Sequence, residues 1–561
     1  MHTTPSPHLA EPAAPAPGAA PAPRPSCCWL LGWPGWAILA LVGTLIIAWR
    51  IHDPLTLWID ETASIQVAQF DWKYIIRSSG RDSHPPASPI LRKVWRDTGD
   101  LLGFPRHIAY DRAINLALWL PWTAWLWLGL RRLLGKPLGA AIAACVGLNP
   151  LILDGCDSIR MYAMGNFFVS GAALALALAV QEALRDPRSR TLRWLAAYWV
   201  LAVLAFYTHV FAIPVLGLAG LAWLAGSLKF IGWRAPHFRW AFGAQMLAVA
   251  AFAPWVPVLF RALEYFKSLG DWWRTPATTY NLFRQFAEWF TFIQGPKVLD
   301  MPGMKDGTSV FMGLNVLLWV LCAAGLVKLR RRLPRSATFW GAIAGLFVAA
   351  GFIAFTWTAT RLDIANVFHG YRYNFFGAPF WVAALLCASA GTGKALGWRW
   401  LLPAAVVLLL VQSMCSTLTD EERRLKRGIG HILGRFLPEQ FEPGQRLYVA
   451  EDVIIPYAMP ILGDYDVHSV WELRDHPRDL QDADVMFFVV WDRFVQEPTA
   501  RLVNELMATD MADSREYTGV GNEVNLTFLL RLKGVQHDNL PAALDFALEA
   551  KRKPGYFVVP R

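Results

Sequence analysis

Two neighbouring carboxylates, Asp60 and Glu61, stand in the segment Trp58-Ile59-Asp60-Glu61-Thr62-Ala63, and His84-Pro85-Pro86 follows a short way on. Beside a bilayer an acidic pair is costly unless it meets a cation, a base or a substrate. Such a pair suits proton abstraction from a hydroxyl or the binding of a positive charge. Ile65, Ala68, Gln69 and Trp72 continue a helical spacing, so the pair opens a short interfacial helix. There the same carboxylates could equally cap the helix and compensate its dipole. Two prolines after a histidine restrict the backbone to an extended turn. That turn either fixes the His84 side chain or is a plain surface feature.

Three further segments carry chemistry-bearing side chains. Asp154-Gly155-Cys156-Asp157-Ser158-Ile159-Arg160 is a very short polar stretch, and Met161-Tyr162 leads from it into an apolar run. An arginine there can snorkel to the interface, or clamp a phosphate with its planar guanidinium. Tyr207-Thr208-His209 joins two apolar runs almost without a loop, and His369-Gly370-Tyr371-Arg372-Tyr373-Asn374 precedes another. The tyrosines also suit an aromatic belt at a membrane interface. Together these give carboxylates, histidines and two arginines at one membrane surface. That set suits transfer from a lipid phosphate: a carboxylate takes the proton of an attacking hydroxyl and cations stabilise the departing phosphate.

The elements that must position these residues are membrane helices. The chain has 561 residues, 55% hydrophobic and 17% charged, with 28 Trp. Soluble proteins have about 25% charged residues. The apolar residues fall in long runs over 29–49, 112–130, 138–153, 161–180, 192–207, 210–226, 238–260, 309–329, 337–358, 373–390 and 398–415. These read as about eleven transmembrane helices. The net charge of +10 does not point to nucleic acid, because its residues sit in alternate short loops. Those loops hold Arg131, Arg132 and Lys136; Arg185 to Arg193; Lys229 to Arg239; Lys328 to Arg335; and Lys394 and Arg399. By the positive-inside rule they face the cytoplasm, so the N-terminus is cytoplasmic and the C-terminal region lies outside. The Pro/Ala-rich residues 1–28 read as a disordered cytoplasmic tail. Residues 29–415 read as the membrane domain, with large outer loops at 50–111 and 261–308. Residues 416–561 read as a small α/β domain on the outer face, with strands over 446–450, 485–491 and 524–532. The seven Cys form neither a disulfide framework nor a CxxC pair, and most of them suit small apolar packing.

These motifs, in this order, resemble the polytopic glycosyltransferases of the GT-C fold. The branch is that of dolichyl-phosphate-mannose protein mannosyltransferases (family 39) and the aminoarabinose transferase acting on lipid A. The resemblance covers roughly 29–391 and rests on Asp60-Glu61, His84-Pro85-Pro86, Arg160-Met161-Tyr162-Ala163, Tyr207-Thr208-His209 and Arg372-Tyr373-Asn374. It implies inverting transfer from a polyprenyl-phosphate sugar to a lipid, glycan or protein acceptor on the periplasmic face of a bacterial inner membrane. Asp60 would be the general base and Glu61 its support or that of a metal. Arg160 and Arg372 would contact the donor phosphate. His84, Asp157, Tyr162, Tyr207, His209 and Tyr373 would line the substrate site. Relatives often carry an acid two residues before the arginine. Here Ser158 stands there, with Asp157 one further back.

Some relatives use a divalent metal ion, and Asp60, Glu61 and His84, with His209, are the candidate ligands here, although their spacing is no metal motif. Two other classes stay open: a polytopic transporter and a non-catalytic envelope scaffold. Transporters place ionisable residues near the bilayer midplane and often show repeated halves. This chain gathers them at one edge.

Overall fold

The structure is a computed structural model. It describes residues 32–51, 61, 64–65, 67–68, 70–79, 84–104, 107–185, 191–261, 277–283, 286, 305–329, 337–362, 375–427, 444, 446–449, 466–469, 514–520 and 527–533. The predicted tail 1–28, and with it Asp60, Arg372 and Tyr373, lies outside them.

The described chain is mostly helical. α1 (Trp33–Ile51) is followed by two short helices, α2 (Trp72–Ser79) and α3 (Ala87–Leu101). Next come α4 (Ile108–Leu134), α5 (Lys136–Gly147), α6 (Pro150–Cys156) and α7 (Tyr162–Arg185). α8 (Leu192–Thr208), α9 (Ala212–Phe230) and α10 (Pro236–Phe252) follow. The last four are α11 (Lys305–Leu329), α12 (Ala337–Arg361), α13 (Ala378–Leu396) and α14 (Leu401–Arg427). Each of the eleven apolar runs coincides with a helix or, at 138–153, with the bent pair α5–α6. By length and hydropathy six of the described helices can cross a membrane, or seven if the pair bent by 51° is one span. α8 and the apolar stretches of α11 and α14 are shorter. The molecule is a multi-pass membrane protein.

The break between α5 and α6 has a local cause. Pro150 has no N–H to donate, and the Asn149 side chain accepts from the Leu151 amide at 2.9 Å, starting a fresh helix. α6 therefore ends early, and the chain turns through Asp157–Met161 into α7. Around this corner α1 packs on α4, α5 and α6, and α4 packs on α5 and α7. α1 approaches α4 closely because residue 43 is Gly: a β-carbon there would run into the fully buried Trp119 ring. α3 lies across α4 and α8.

The two ends of the bundle differ. At one end Arg132 and Arg193 both bridge to Glu182, joining the ends of α4 and α7 to the start of α8. Lys229 at the end of α9 sits over the Trp340 ring at the start of α12. The other end carries Arg50, α3, the Asp157–Met161 turn and His209.

In the C-terminal region β1 (Arg446–Val449) pairs in parallel with β2 (Asp466–Ser469). β3 (Ser514–Val520) pairs antiparallel with β4 (Thr527–Lys533), Ser514 opposite Lys533. β1 and β4 fall on two predicted strands; β2 and β3 were not expected, and the predicted strand 485–491 lies outside the described residues. Asp466 and His468 alternate with more apolar neighbours in a four-residue strand, too short for a clear period-two signal.

Candidate active site

The site is built on the six residues Gly155–Arg160, which four buried polar side chains from four directions hold in place. From α4, the Asn115 amide reaches the carbonyls of Gly155, Cys156 and Ser158, the last at 2.6 Å. Glu61 Oε1 accepts from the Ile159 amide at 2.6 Å. From α3, Arg92 Nη2 donates to the Arg160 carbonyl at 3.1 Å, and Nη1 to that of Asp111 at 3.3 Å. From the end of α1, Arg50 bridges Asp154 at 3.0 Å and Asp157 at 2.9 Å. A turn between helices has main-chain groups with no helical partner, and buried ones must find partners elsewhere. Here side chains supply them.

Glu61 has a second bond. Its two oxygens face the Nε and Nη2 of Arg112 at 3.2 and 2.8 Å, a forked pair with both residues buried. A carboxylate between a guanidinium and an amide is fixed in direction. The sequence-based expectation made Glu61 a partner of Asp60 in catalysis or metal binding. The geometry makes it an anchor that ties the chain after α1 to α4 and to the turn.

α3 is amphipathic in an inverted sense. Ser88, Arg92 and Arg96, at spacings of four, face inward, while Val94 and Leu101 are exposed. Arg96 donates to the Ile65 carbonyl and lies 3.7 Å from Asp111 Oδ1. Burial pulls the Arg92 pKa down from 12.5 to about 10; Asp111 and Glu61 oppose the fall and Arg160 adds to it. Arg92 remains a cation at neutral pH, but a poorly solvated one.

Against this frame lies a cleft of about 510 Å³ including its open mouth. Arg92, Arg160 and His84 line it with Ser64, Ser78 and Ser88. Arg160 Nη1 approaches Ser64 Oγ at 3.4 Å, and its guanidinium stacks over Tyr162. Beside the cleft His209 forms an aromatic cluster: His84 and Tyr162 at 5.4 Å, Phe376 at 5.0 Å and Phe211 at 5.2 Å. His209 Nδ1 accepts from the Phe211 amide, which leaves the ring proton on Nε2 in the neutral form. The cleft thus offers cations and hydroxyl groups to an anion, at one end of an apolar bundle.

No protein-family model matches the chain, and no curated protein matches it. Solved structures do resemble it. ArnT from Cupriavidus metallidurans in the apo state is 12% identical with a TM-score of 0.49, covering 90% of this chain and 100% of that one. The same protein bound to undecaprenyl phosphate gives 12% and 0.46, with the same coverage. The oligosaccharyltransferase AglB from Archaeoglobus fulgidus, with an inhibitory peptide and a dolichol-phosphate, gives 9% and 0.37, covering 89% and 74%.

Of the residues singled out in the sequence, His84 and Arg160 line the cleft, and Tyr162 and His209 adjoin it. Asp157 points instead to Arg50. Tyr207 turns away: its hydroxyl donates to the Ala251 carbonyl and its ring meets Phe252 and Trp255. The resemblance puts it at the site through the motif Tyr207-Thr208-His209, but residues two apart on a helix face different directions. Of the metal candidates, Glu61 is engaged by Arg112 and Asp60 lies outside the described residues; among those described no group of three His, Cys, Asp or Glu side chains could hold an ion. The sequence reading missed Arg50, Arg92, Arg112 and Asn115. The signal was present as the i, i+4 polar stripe Ser88, Arg92 and Arg96 and as polar residues at the mouths of apolar runs.

Proposed function

We propose that the protein is an inverting membrane glycosyltransferase that takes a sugar from a polyprenyl-phosphate donor at the periplasmic face of a bacterial inner membrane. The observation that carries this reading is the clamped turn that presents Arg160 to a cleft shared with Arg92, His84 and serine hydroxyls. A phosphate needs cations and hydrogen-bond donors already in place, and a turn fixed from four sides supplies them without reorganisation. Apolar helices beside the cleft leave the polyprenyl chain in lipid.

Asp60 is the general base. It follows the first span and adjoins Glu61, whose bonds to Arg112 and Ile159 tie that point of the chain to the turn bearing Arg160. The acceptor hydroxyl attacks the anomeric carbon from the face opposite the phosphate, and its proton passes to Asp60. The bond from the anomeric carbon to the phosphate oxygen breaks, and polyprenyl phosphate leaves with that electron pair. Arg160 meets the growing negative charge, and His84 and the serines orient the phosphate and sugar. Arg372, Tyr373, His209 and Tyr162 are proposed as walls of the same cavity. The acceptor is a lipid, glycan or protein hydroxyl, or a phosphate.

The test is release of radiolabelled sugar from polyprenyl-phosphate donors by protein in lipid nanodiscs. Asp60→Asn should lower turnover at least about 100-fold, the scale of a lost general base, while donor affinity stays within a few-fold of wild type. Equal turnover in wild type and variant would remove Asp60 from the chemistry. No turnover with any donor would move the reading to transport or scaffolding.

A further inference from the structure

Asn166 is a polar side chain in an apolar bundle, fully buried on α7. Its Nδ2 donates to the Phe375 carbonyl at 2.8 Å. That carbonyl lies just before α13. Four residues on, where a helix would supply the N–H for it, stands Pro379, which has none. The buried Asn166 Oδ1 has no hydrogen-bond partner among the described residues. Asn166 thus leaves one buried acceptor unanswered to satisfy one carbonyl. What it holds backs the cleft on two sides. The Phe375 ring stacks on Tyr162 at 5.8 Å and 7°, and the Arg160 guanidinium lies over Tyr162 at 5.9 Å. The Phe376 ring meets His209 at 5.0 Å, and His209 meets His84 at 5.4 Å. Little slack separates these rings from α6 and α7. A β-carbon at Gly165 would stand 3.0 Å from the Phe376 ring, and one at Gly155 would stand 3.4 Å from the Phe375 ring. In a close-packed interior a shift of Phe375 and Phe376 is passed on rather than absorbed.

We infer that Asn166 is a positioning residue for the transfer: by holding Phe375 and Phe376 it sets where Arg160 and His84 stand in the cleft. The inference rests on the transferase reading above and deepens its site. Asn166 does not line the cleft; it acts through two lines of ring contacts. Hydrogen bonds between membrane helices also serve as packing glue, which changes stability alone. Such a bond lies one turn further along α7, where Ser170 Oγ accepts from Trp122 Nε1 at 2.8 Å. Positioning changes the reaction as well. Arg160 meets the negative charge that grows on the departing phosphate, so a displaced guanidinium raises the barrier more than it weakens binding of the donor. kcat then falls more than KM rises.

The experiment measures sugar release from radiolabelled polyprenyl-phosphate donors by full-length protein in nanodiscs, with a thermal melt of each variant. Asn166→Leu keeps the side-chain size and removes the bond. It should lower kcat about tenfold, short of the roughly 100-fold that a shift of about 1 Å can cost, with donor KM within a few-fold of wild type. Phe375→Leu removes the ring and leaves the main chain, so it keeps the test decisive if Asn166→Leu does not fold. It should also lower kcat, and it should add little to Asn166→Leu, because both break one line of contacts. Trp122→Phe, which breaks the neighbouring bond to Ser170, should lower the melting temperature with kcat unchanged. Equal kcat in wild type and Asn166→Leu, or in wild type and Phe375→Leu, would overturn the inference. So would a fall in kcat that Trp122→Phe matches at an equal loss of melting temperature, or effects of Asn166→Leu and Phe375→Leu that add in full. Each of these results leaves the transferase reading standing. No turnover by wild type with any donor would overturn both.

Discussion

Glu61 and Arg112 form a buried ion pair that serves structure. Both are buried, and each satisfies the other through two bonds, while Glu61 also takes the Ile159 amide. Removing one partner of such a pair leaves an unanswered charge, which costs about 3–5 kcal/mol, whereas replacing both can be nearly neutral. Glu61→Gln or Arg112→Met alone should therefore lower the melting temperature in detergent by several degrees. The double variant should recover much of that loss. Single variants that melt as wild type would show that the pair is not closed. From sequence, Glu61 is indistinguishable from Asp60, because adjacency says nothing about which carboxylate meets a guanidinium 51 positions on.

At the scale of elements, the turn between α6 and α7 is the part on which the others converge. Asn115 reaches three of its carbonyls, and its loss leaves them without that donor. Asn115→Ala should cost about 1–3 kcal/mol, the penalty for buried groups left unbonded. It should also weaken donor binding, because the turn it loosens carries Arg160. Thermal melts and donor titrations check the two effects separately. A variant that loses stability but keeps full donor affinity would show that the turn holds Arg160 without Asn115. The helices were legible in the sequence because twenty apolar residues in a row have few other folds. α3 was not assigned, because its polar face is its buried face, and a reading that sends charge outward places Arg92 and Arg96 in solvent. Likewise Asp157 was grouped with the substrate site, since its partner Arg50 is 107 residues earlier and no local spacing links them.

For the whole molecule, the two ends of the bundle have different tasks. One end binds its own charges together, Arg132 and Arg193 on Glu182 and Lys229 over Trp340. The other presents Arg92 and Arg160 to an open cleft. The basic end was legible in the sequence as alternating basic loops, and His84, Arg160, Tyr162 and His209, which lie at or beside the cleft, stand in three short motifs at the opposite ends of the same spans. What brings those motifs together was not, because it depends on long-range packing such as α3 across α4 and α8. The measurement that tests this account most directly is a cryo-electron microscopy map of the protein in nanodiscs saturated with polyprenyl phosphate. The account predicts phosphate density in the cleft, within hydrogen-bond distance of Arg160 and Arg92, and the prenyl chain running into lipid. Phosphate density at the other end, on Arg132, Arg193 or Lys229, with the cleft left to solvent, would contradict it.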